Sequence, residues 1–468
     1  MKFFGRNNEL KILKEATELL KSNITIIYGR RRIGKSLLIN KAVEKCSYLM
    51  FEGLENQSKE KQISNFISQL NFQLSDEQIT RVKNWSDAFK LLIPIVKKKK
   101  YVIIFDEFQW MANYRSEIVS ELKMVWDQYL KDAGDISLIL CGSIASFMLD
   151  KVFKSNALYG RCDRIIHLDQ FSLGEAQQMF NSRTNADVLE ACLCVGGVPK
   201  YLELLSTHFS NYIALEKLAF SKDSYFVDEY NRIFISHFGS NEDYERIIRV
   251  LSNYPYGLIR GKIAEKLKIK AGGTLTKFLD NLESAGFIQS VISIDKNHKS
   301  KLKKYYLFDS YLRFYFAFIE ENLIKIKSRK ENILVNIWNS QKWYSWLGRS
   351  FEYLVTYHAH LISKILGFSG IDYSVGPYFD SKIINKKGVQ IDLLFDRADR
   401  IFTLCEMKYT TKPIGKEIIQ EVDQKAEVIE NKFKRSVQRV LITNANISEA
   451  LQKSHYFSRI ITSDELFL

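Results

Sequence analysis

The sequence predicts an α/β protein in which a parallel-sheet core comes first and a second, smaller α/β domain comes last. Three patterns carry this prediction: an apolar strand that runs into a glycine-rich loop, two further apolar strands that end in polar residues, and a strand pair near the end that holds carboxylates and a lysine. Amphipathic helical segments fill the chain between these strands. We therefore expect four domains, at 1–170, 171–240, 241–310 and 311–468.

Composition indicates an ordered globular protein with an acidic partner. The 468 residues are 46% hydrophobic and 13% aromatic, which is enough for several cores. The formal net charge is +14, and residues 241–330 hold 18 Lys and Arg against 10 Asp and Glu, more than half of the excess. So concentrated a basic region favours a polyanion, and we expect double-stranded DNA.

Two features argue against a secreted or membrane protein. No segment approaches 18 uncharged apolar residues, and the start of the chain has no apolar stretch typical of a leader. The six cysteines lie mostly in apolar segments and lack the spacing of a zinc site. We expect a cytoplasmic protein with reduced thiols and no membrane partner.

The strongest pattern is a phosphate-binding loop near the start of the chain. The apolar strand Ile24–Tyr28 leads into Gly-x-x-x-x-Gly-Lys-Ser, and a helix follows. The glycines let backbone N–H groups surround phosphates at a helix N-terminus, where the helix dipole also favours anions. Lys35 is predicted to reach the β- and γ-phosphates, and Ser36 to hold Mg²⁺. The predicted nucleotide contacts in this segment are Gly29, Arg30, Arg31, Arg32, Ile33, Gly34, Lys35, Ser36 and Leu37.

Two later strands supply the rest of the predicted nucleotide site. The strand Tyr101–Phe105 runs into Asp106 and Glu107. Asp106 is predicted to hold Mg²⁺ through water, and Glu107 to act as the general base on the attacking water. The strand Ile136–Cys141 is followed shortly by Ser143. In ATPases whose sheet has a strand between the phosphate-loop strand and the Asp-Glu strand, a polar residue at the end of that middle strand senses the γ-phosphate. The alternative is that Ser143 is only a turn residue.

Collinear segments of the first 240 residues resemble a known family. In order they are FFGRNNELKILKEA, GRRRIGKS, FDEFQ, CGSIASFM, LYGRCDRIIHLDQFS and GGVPKYL. The chain resembles the archaeal and prokaryotic AAA+-type P-loop ATPases of the STAND class, which are relatives of replication-initiator ATPases. The resemblance implies an AAA+-type parallel sheet over 1–170, a helical lid over 171–240, and ATP with Mg²⁺ as ligands.

The same resemblance implies further contacts with the nucleotide. In the family, an arginine after the Tyr-Gly pair can act as a finger on ATP, which points to Arg161, in its own chain or toward a neighbouring copy, with Arg164 as second choice. Pairing of Arg161 with a neighbouring acid is the alternative. Pro199 resembles a lid element that faces the base, and the segment at residues 4–6 resembles one that packs near adenine.

The middle of the chain predicts a winged helix over 241–310. Three short amphipathic helices are broken at Pro255–Gly257 and Gly272–Gly273, and two strands joined by a basic loop follow. The start of the third helix can enter the major groove of DNA, and lysines on the wing suit phosphate contacts. A module for protein contacts with a solvated wing is the alternative. The candidate residues are Lys270, Thr274, Thr276 and Lys277 on the helix and Lys299, Lys301, Lys303 and Lys304 on the wing.

The final domain holds a second group of chemically informative residues. Asp392 lies in one strand, Glu406 and Lys408 share a face of the next, and Glu352 lies on an amphipathic helix before them. This order resembles the PD-(D/E)xK, restriction-endonuclease-like fold, and 311–468 also resembles a C-terminal domain of unknown function that accompanies the ATPase family. The nuclease resemblance implies Asp392 and Glu406 as Mg²⁺ ligands, Lys408 as the catalytic lysine and Glu352 as an accessory ligand. A structural ion pair of Lys408 with Asp392 or Glu406 in an inactive domain is the alternative.

Together these patterns predict an ATP-hydrolysing switch that binds DNA and carries a Mg²⁺-dependent nuclease-like domain, in defence or mobile-element control. Two other functions stay open: a nucleotide-gated scaffold, acting with copies of itself or a protein partner, whose last domain is not catalytic, and an initiator-like DNA remodeller.

Overall fold

The structure, a computed structural model, describes residues 2–74, 82–154, 158, 160–238, 241–297, 302–380 and 389–468. The chain forms two compact units, 1–170 and 171–468.

The first unit is built on a five-stranded, wholly parallel sheet with strand order β2-β3-β4-β1-β5. Its central strands are rich in Ile and buried along nearly their whole length, as expected when helices cover both faces of a parallel sheet. Strand β4 lies between β1 and β3, so the predicted α/β parallel-sheet core is confirmed. The strands are β1 (Asn23–Tyr28), β2 (Tyr48–Glu52), β3 (Tyr101–Asp106), β4 (Ile136–Gly142) and β5 (Cys162–His167).

Two apolar clusters fill this unit. One contains Phe51, Phe66, Trp85 and Phe105, whose rings pack edge-on and stacked, and the other packs Leu13, Leu38 and Ile39 with Ile27 and Ile104. The helices that supply these contacts are α1 (Asn7–Glu18), α2 (Lys35–Val43), α3 (Lys59–Leu74), α4 (Trp85–Lys90), α5 (Ile93–Val96), α6 (Phe108–Met111), α7 (Glu117–Val125) and α8 (Ala145–Phe147), with π-helical turns at Trp126–Leu130 and Met148–Phe153.

The second unit begins with five helices, where the sequence predicts a helical lid. Capping boxes start the first two, with Ser172 paired to Glu175 and Thr184 to Asp187. Pro199 occupies the first turn of the third, where its missing N–H costs nothing. The five are α9 (Leu173–Gln177), α10 (Asn185–Val195), α11 (Pro199–Ser206), α12 (Asn211–Ala219) and α13 (Tyr225–Phe238).

Three helices and a three-stranded antiparallel sheet follow; we name residues 242–307 the helix–wing module. The third helix ends just before Gly286, whose φ of 76° suits a helix-terminating glycine. The short strand at Leu258–Ile259, which was not predicted, joins the sheet beside the two predicted ones. The elements are α14 (Glu242–Ser252), β6 (Leu258–Ile259), α15 (Arg260–Leu267), α16 (Gly273–Ser284), β7 (Ile288–Val291) and β8 (Lys304–Leu307).

A helical run connects this module to the last domain. It comprises α17 (Ser310–Phe314), a π-helical turn, a 3₁₀ turn and α18 (Leu323–Lys327), and α19 (Val335–Trp338) follows. The predicted amphipathic helix that carries Glu352 is α20 (Gln341–Tyr357), which ends before His358, and α21 (Ala359–Ile365) follows.

The last domain has a five-stranded mixed sheet with order β13-β12-β11-β10-β9. Strands β9, β10 and β11 form an antiparallel meander, whereas β12 and β13 run parallel to β11. The predicted strand pair is therefore present, and helix α22 crosses between β11 and β12. The elements are β9 (Tyr373–Asp380), β10 (Val389–Arg397), β11 (Phe402–Lys408), α22 (Glu417–Phe433), β12 (Val437–Thr443), α23 (Glu449–Lys453) and β13 (Arg459–Thr462), with a final 3₁₀ turn at Ser463–Phe467.

Within the described ranges, no helix has the length and apolar character needed to cross a membrane.

Candidate functional sites

The phosphate loop connects β1 to α2 in the first unit. A Cβ atom at Gly29 would lie 2.3 Å from the carbonyl oxygen of Leu168, so only glycine fits there. Gly34 has a φ of 92° at the start of α2. Lys35 is 6% exposed, and its Nζ donates to the carbonyl oxygens of Gly29 at 2.9 Å and Arg30 at 3.0 Å. The ammonium group is therefore held within the loop that would surround phosphate.

The predicted magnesium residues lie in direct contact. Ser36 Oγ donates to Asp106 Oδ2 at 2.7 Å, because parallel strands β1 and β3 end at the same edge of the sheet. A hydroxyl and a carboxylate are the hard oxygen donors that Mg²⁺ prefers, so the two residues fit the ion. Burial, followed by the charges of Asp106 and Glu107, raises the pKa of Glu52 at the end of β2. This edge therefore carries negative charge that favours a cation.

Glu107 is fixed by two polar neighbours. Its φ of 48° turns the chain sharply after β3. Ser143 Oγ donates to Glu107 Oε2 at 2.8 Å, and the Gln109 side chain donates both to the same carboxylate and, at 3.0 Å, to Ser143 Oγ. Gln109 is fully buried and was not among the predicted site residues, although it lies two positions after Glu107 in the segment FDEFQ.

The other predicted loop residues have structural contacts. Arg31 lies 4.7 Å from the centre of the Trp110 ring and pairs with Glu55 at 3.8 Å. Arg30 is buried, and Arg32 has a φ of 67°. Ile33 is buried in the core beneath the loop, and Leu37, in the first turn of α2, is half-buried.

Arg161 forms a two-pronged ion pair with Asp127. Its Nε lies 2.7 Å from Oδ1, and its Nη2 lies 2.9 Å from Oδ2. The hydrogen bond from Arg161 lowers the pKa of Asp127. A role for Arg161 on ATP stays a prediction, as do the roles of Arg164 and of Pro199, which lies in the second unit. Arg6 is 5% exposed and donates to backbone carbonyls of Ile33 and Asp169 within the first unit.

The last domain brings Glu406 and Lys408 into a group of four charged side chains. Lys408 Nζ lies 2.9 Å from Glu406 and 3.0 Å from Glu421, and Lys425 Nζ lies 2.6 Å from Glu406 and 2.9 Å from Glu421. We name these four residues the ion quartet. Burial opposes the charge on Lys408, but Glu406 and Glu421 outweigh it and raise the pKa of the lysine.

Glu352 and Asp392 line a cavity of about 60 Å³. Gln390 Nε2 donates to Asp392 Oδ1 at 2.6 Å. Burial, followed by the charges of Asp392 and Glu406, raises the pKa of Glu352 to about 7. Glu352 therefore lies within electrostatic reach of the other three predicted residues of this site, Asp392, Glu406 and Lys408.

This second site does not fit a metal ion in the arrangement observed. Each oxygen of Glu406 contacts a lysine ammonium group: Oε1 contacts Lys408 and Oε2 contacts Lys425. Across the described ranges, no group of three or more His, Cys, Asp or Glu side chains is placed to hold a metal. The contact of Lys408 with Glu406 is one of the two that the ion-pair alternative names.

The helix–wing module presents basic side chains at the start of α16. Lys270, Thr274 and Lys277 are exposed, and Thr276 accepts a hydrogen bond from Arg260 at 2.6 Å. On the wing, Lys303 pairs with Glu283 at 3.3 Å.

Lys304 departs from its predicted role as a free phosphate contact. It is half-buried and lies 4.0 Å from the centre of the Phe379 ring, and burial lowers the pKa of its ammonium group. Lys299 and Lys301 lie outside the described residues.

The parallel sheet and the contacts of Ser36, Asp106 and Glu107 define the class of the first unit: it is a P-loop ATPase core. A family model described as "ATPase domain predominantly from Archaea" matches residues 3–205. The chain belongs to this family of P-loop ATPases and is an ATP-hydrolysing enzyme.

The chain is also similar to proteins of Methanocaldococcus jannaschii and to a solved structure. A protein of Methanocaldococcus jannaschii is 27% identical over 328 residues, which cover 69% of this chain and 70% of the relative. An ATP-binding protein of the same organism is 45% identical over 42 residues, or 9% of this chain and 71% of its own length. A solved structure, the Walker-type ATPase of Pyrococcus abyssi, has 19% identity and a TM-score of 0.50, covering 66% of this chain and 95% of its own. This last likeness shows a shared fold.

Proposed function

We propose that the protein is an ATP-driven switch that acts on double-stranded DNA. The observation that carries the ATP-dependent part is the contact network at the sheet edge, in which Ser36 meets Asp106 while Ser143 and Gln109 fix Glu107. The observation that carries the DNA part is the exposed basic start of α16.

The chain's own residues divide the work of hydrolysis. Lys35 binds the β- and γ-phosphates from within the loop, and Ser36 and Asp106 would hold Mg²⁺. When bound, Mg²⁺ neutralises charge on the phosphate oxygens. Glu107 orients a water molecule and accepts its proton as the water oxygen bonds to the γ-phosphorus and the bond to the β-phosphate oxygen breaks. Ser143, which contacts Glu107, links the state of the γ-phosphate to the position of the base.

The helix–wing module is the proposed DNA-binding part. Its three helices and antiparallel strands follow the order of a winged helix, and α16 corresponds to the recognition helix of such folds. Lys270 and Lys277 form no ion pair in the described parts of the chain, so both ammonium groups are free for phosphate. A salt series of duplex affinity in the ATP and ADP states tests this: the proposal requires binding that weakens with salt and differs between the two nucleotides.

A Mg²⁺-dependent nuclease is the second candidate for the last domain. It is favoured by the grouping of Glu352, Asp392, Glu406 and Lys408 on a helix and two adjacent strands, in the order typical of PD-(D/E)xK enzymes. The ion quartet favours the opposite, a non-catalytic clamp, because both oxygens of Glu406 are already engaged.

A plasmid-nicking assay decides between the two. The full chain is incubated with supercoiled plasmid and Mg²⁺ or Mn²⁺, with ATP, ADP or neither, beside Lys408→Ala. Nicking in any of these states that Lys408→Ala abolishes establishes the nuclease. Intact plasmid in every state, together with retained duplex binding, establishes the clamp.

A further inference from the structure

A cavity of about 380 Å³ lies in the second unit, between the helix–wing module, the helical run after it and α20. Its volume is in the range of small-molecule sites. The wall combines arginines, aromatic rings and small polar side chains, among them Asn253, Arg313, Phe316, Trp346, Arg349 and Tyr353. We name it the arginine cavity.

Arg313 brings an incompletely paired charge to this cavity. Its Nη2 donates to Ser310 Oγ at 2.9 Å, whereas its Nε and Nη1 are buried and have no hydrogen-bond partner in the described residues. The guanidinium lies 4.3 Å from the centre of the Tyr353 ring. A buried donor without an acceptor is costly, and a buried charge more so, which means that the folded protein maintains an unfavourable group here.

Arg349 lines the same cavity, one turn before Glu352 on α20. Neither Arg349 nor Arg313 forms an ion pair with a carboxylate anywhere in the described ranges. The two acids of the wall, Glu320 and Glu321, are already paired with Arg249 and Lys342 respectively. Two guanidinium groups thus line one cavity, and neither is neutralised by a direct ion pair within the described ranges.

We propose that the arginine cavity binds a small phosphate-bearing molecule. Guanidinium groups present paired N–H donors that match phosphate oxygens, so the phosphate lies against Arg313 and Arg349. The apolar or aromatic body of the ligand packs against Phe316 and Trp346. Because the cavity touches both the helix–wing module and α20, a bound ligand stabilises their contact. This site lies in the second unit and shares no residue with the ATP site, whereas Arg349 and Tyr353 also line the smaller cavity of Glu352 and Asp392.

The test uses AMP as the probe and the full chain carrying Lys35→Ala, which removes the phosphate lysine of the first unit. Isothermal titration is expected to show AMP binding, weaker binding of inorganic phosphate, and none of adenosine. Arg349→Gln in this background should weaken AMP binding about tenfold or more. Arg246→Gln is the matched control, because Arg246 pairs with Asp243 on the exposed face of α14 and should leave binding unchanged.

Thermal melting separates ligand binding from a purely structural role. If the cavity binds phosphate, Arg313→Gln removes a buried charge that has two unpaired N–H donors. The ligand-free melting temperature then stays level or rises, and the AMP-induced increase disappears. If Arg313 only supports Tyr353, the same change lowers the ligand-free melting temperature and AMP has no effect on the parent chain, which overturns the proposal. It is also overturned if AMP binds equally after Arg349→Gln, or if a short single-stranded oligonucleotide binds there while AMP and phosphate do not.

Discussion

The two carboxylate sites of this chain use similar residues and differ in what neutralises them. At the ATP site, the contacts of Asp106 and Glu107 include hydroxyl and amide donors from Ser36, Ser143 and Gln109, and neither acid forms an ion pair with Lys or Arg in the described residues. In the last domain, Glu406 contacts two lysines. Neutral donors orient a carboxylate without neutralising it, so the carboxylate can still bind a cation or accept a proton. Lysine ammonium groups instead neutralise the carboxylate in ion pairs that stabilise the fold. The groups that contact a carboxylate therefore indicate its function as much as the carboxylate itself does.

The largest expected effect is at the ATP site. Glu107→Gln keeps the hydrogen bonds but removes the base, so ATP turnover should fall by about 10²–10⁴ while ATP binding is retained. Phosphate release and a filter-binding assay measure the two quantities. Glu60→Gln is the control, because Glu60 is exposed on α3. This variant should hydrolyse ATP at the parent rate. Unchanged turnover in Glu107→Gln would remove Glu107 from the role of base.

The second effect concerns the ion quartet. Glu406→Gln leaves Lys425 and Lys408 without their more buried partner, and we expect the free energy of unfolding to fall by about 3 kcal/mol. Glu421→Gln, at the exposed side of the quartet, should cost about 1 kcal/mol or less. Urea unfolding measures both. The opposite outcome is that Glu406→Gln stabilises the chain and that Mn²⁺ raises the melting temperature of the parent. This outcome would mean that the carboxylates repel one another, and it would support the metal-site hypothesis.

The third effect is a pH dependence from Glu352. Its pKa in the folded protein is about 7, raised by burial and then by Asp392, whereas its ordinary value is 4.5. The folded state therefore holds a proton that the unfolded state has lost between these values, and stability should decline as pH rises from about 4.5 to about 7. Glu352→Gln should remove this component and raise the free energy of unfolding at pH 8 by about 1–3 kcal/mol. Urea titrations at pH 5 and pH 8 measure it; an equal effect of the substitution at both values would contradict the raised pKa.

The sequence predicted contiguous features well and contacts between distant residues less well. The phosphate loop, the Asp106–Glu107 strand and the strand pair around Asp392 are each encoded in one short stretch, because glycine positions and apolar periodicity act locally. Lys425 was not predicted as a partner of Glu406, because it lies on α22, 19 positions away, in an ordinary amphipathic pattern. Gln109 lies in the segment FDEFQ, but its contact with Ser143 depends on how β3 and β4 are paired.

The smallest expected effect concerns lysines, which also differ in whether another side chain already engages their charge. Lys277 on α16 is exposed and without an ion pair in the described ranges, whereas Lys303 is paired with Glu283 and Lys304 packs on Phe379. If α16 contacts DNA phosphates, Lys277→Ala should lower the slope of log affinity against log salt by about 0.9, the value for one lost phosphate contact. Lys304→Ala should leave that slope unchanged and lower the melting temperature instead, since it removes packing against the last domain.

Lys11→Ala, on the exposed side of α1 in the first unit, controls for net charge. Fluorescence anisotropy with one duplex over a series of salt concentrations measures all three slopes. Equal slopes for Lys277→Ala and Lys11→Ala would mean that α16 does not face the DNA, and a reduced slope for Lys304→Ala alone would move the contact from the helix to the wing.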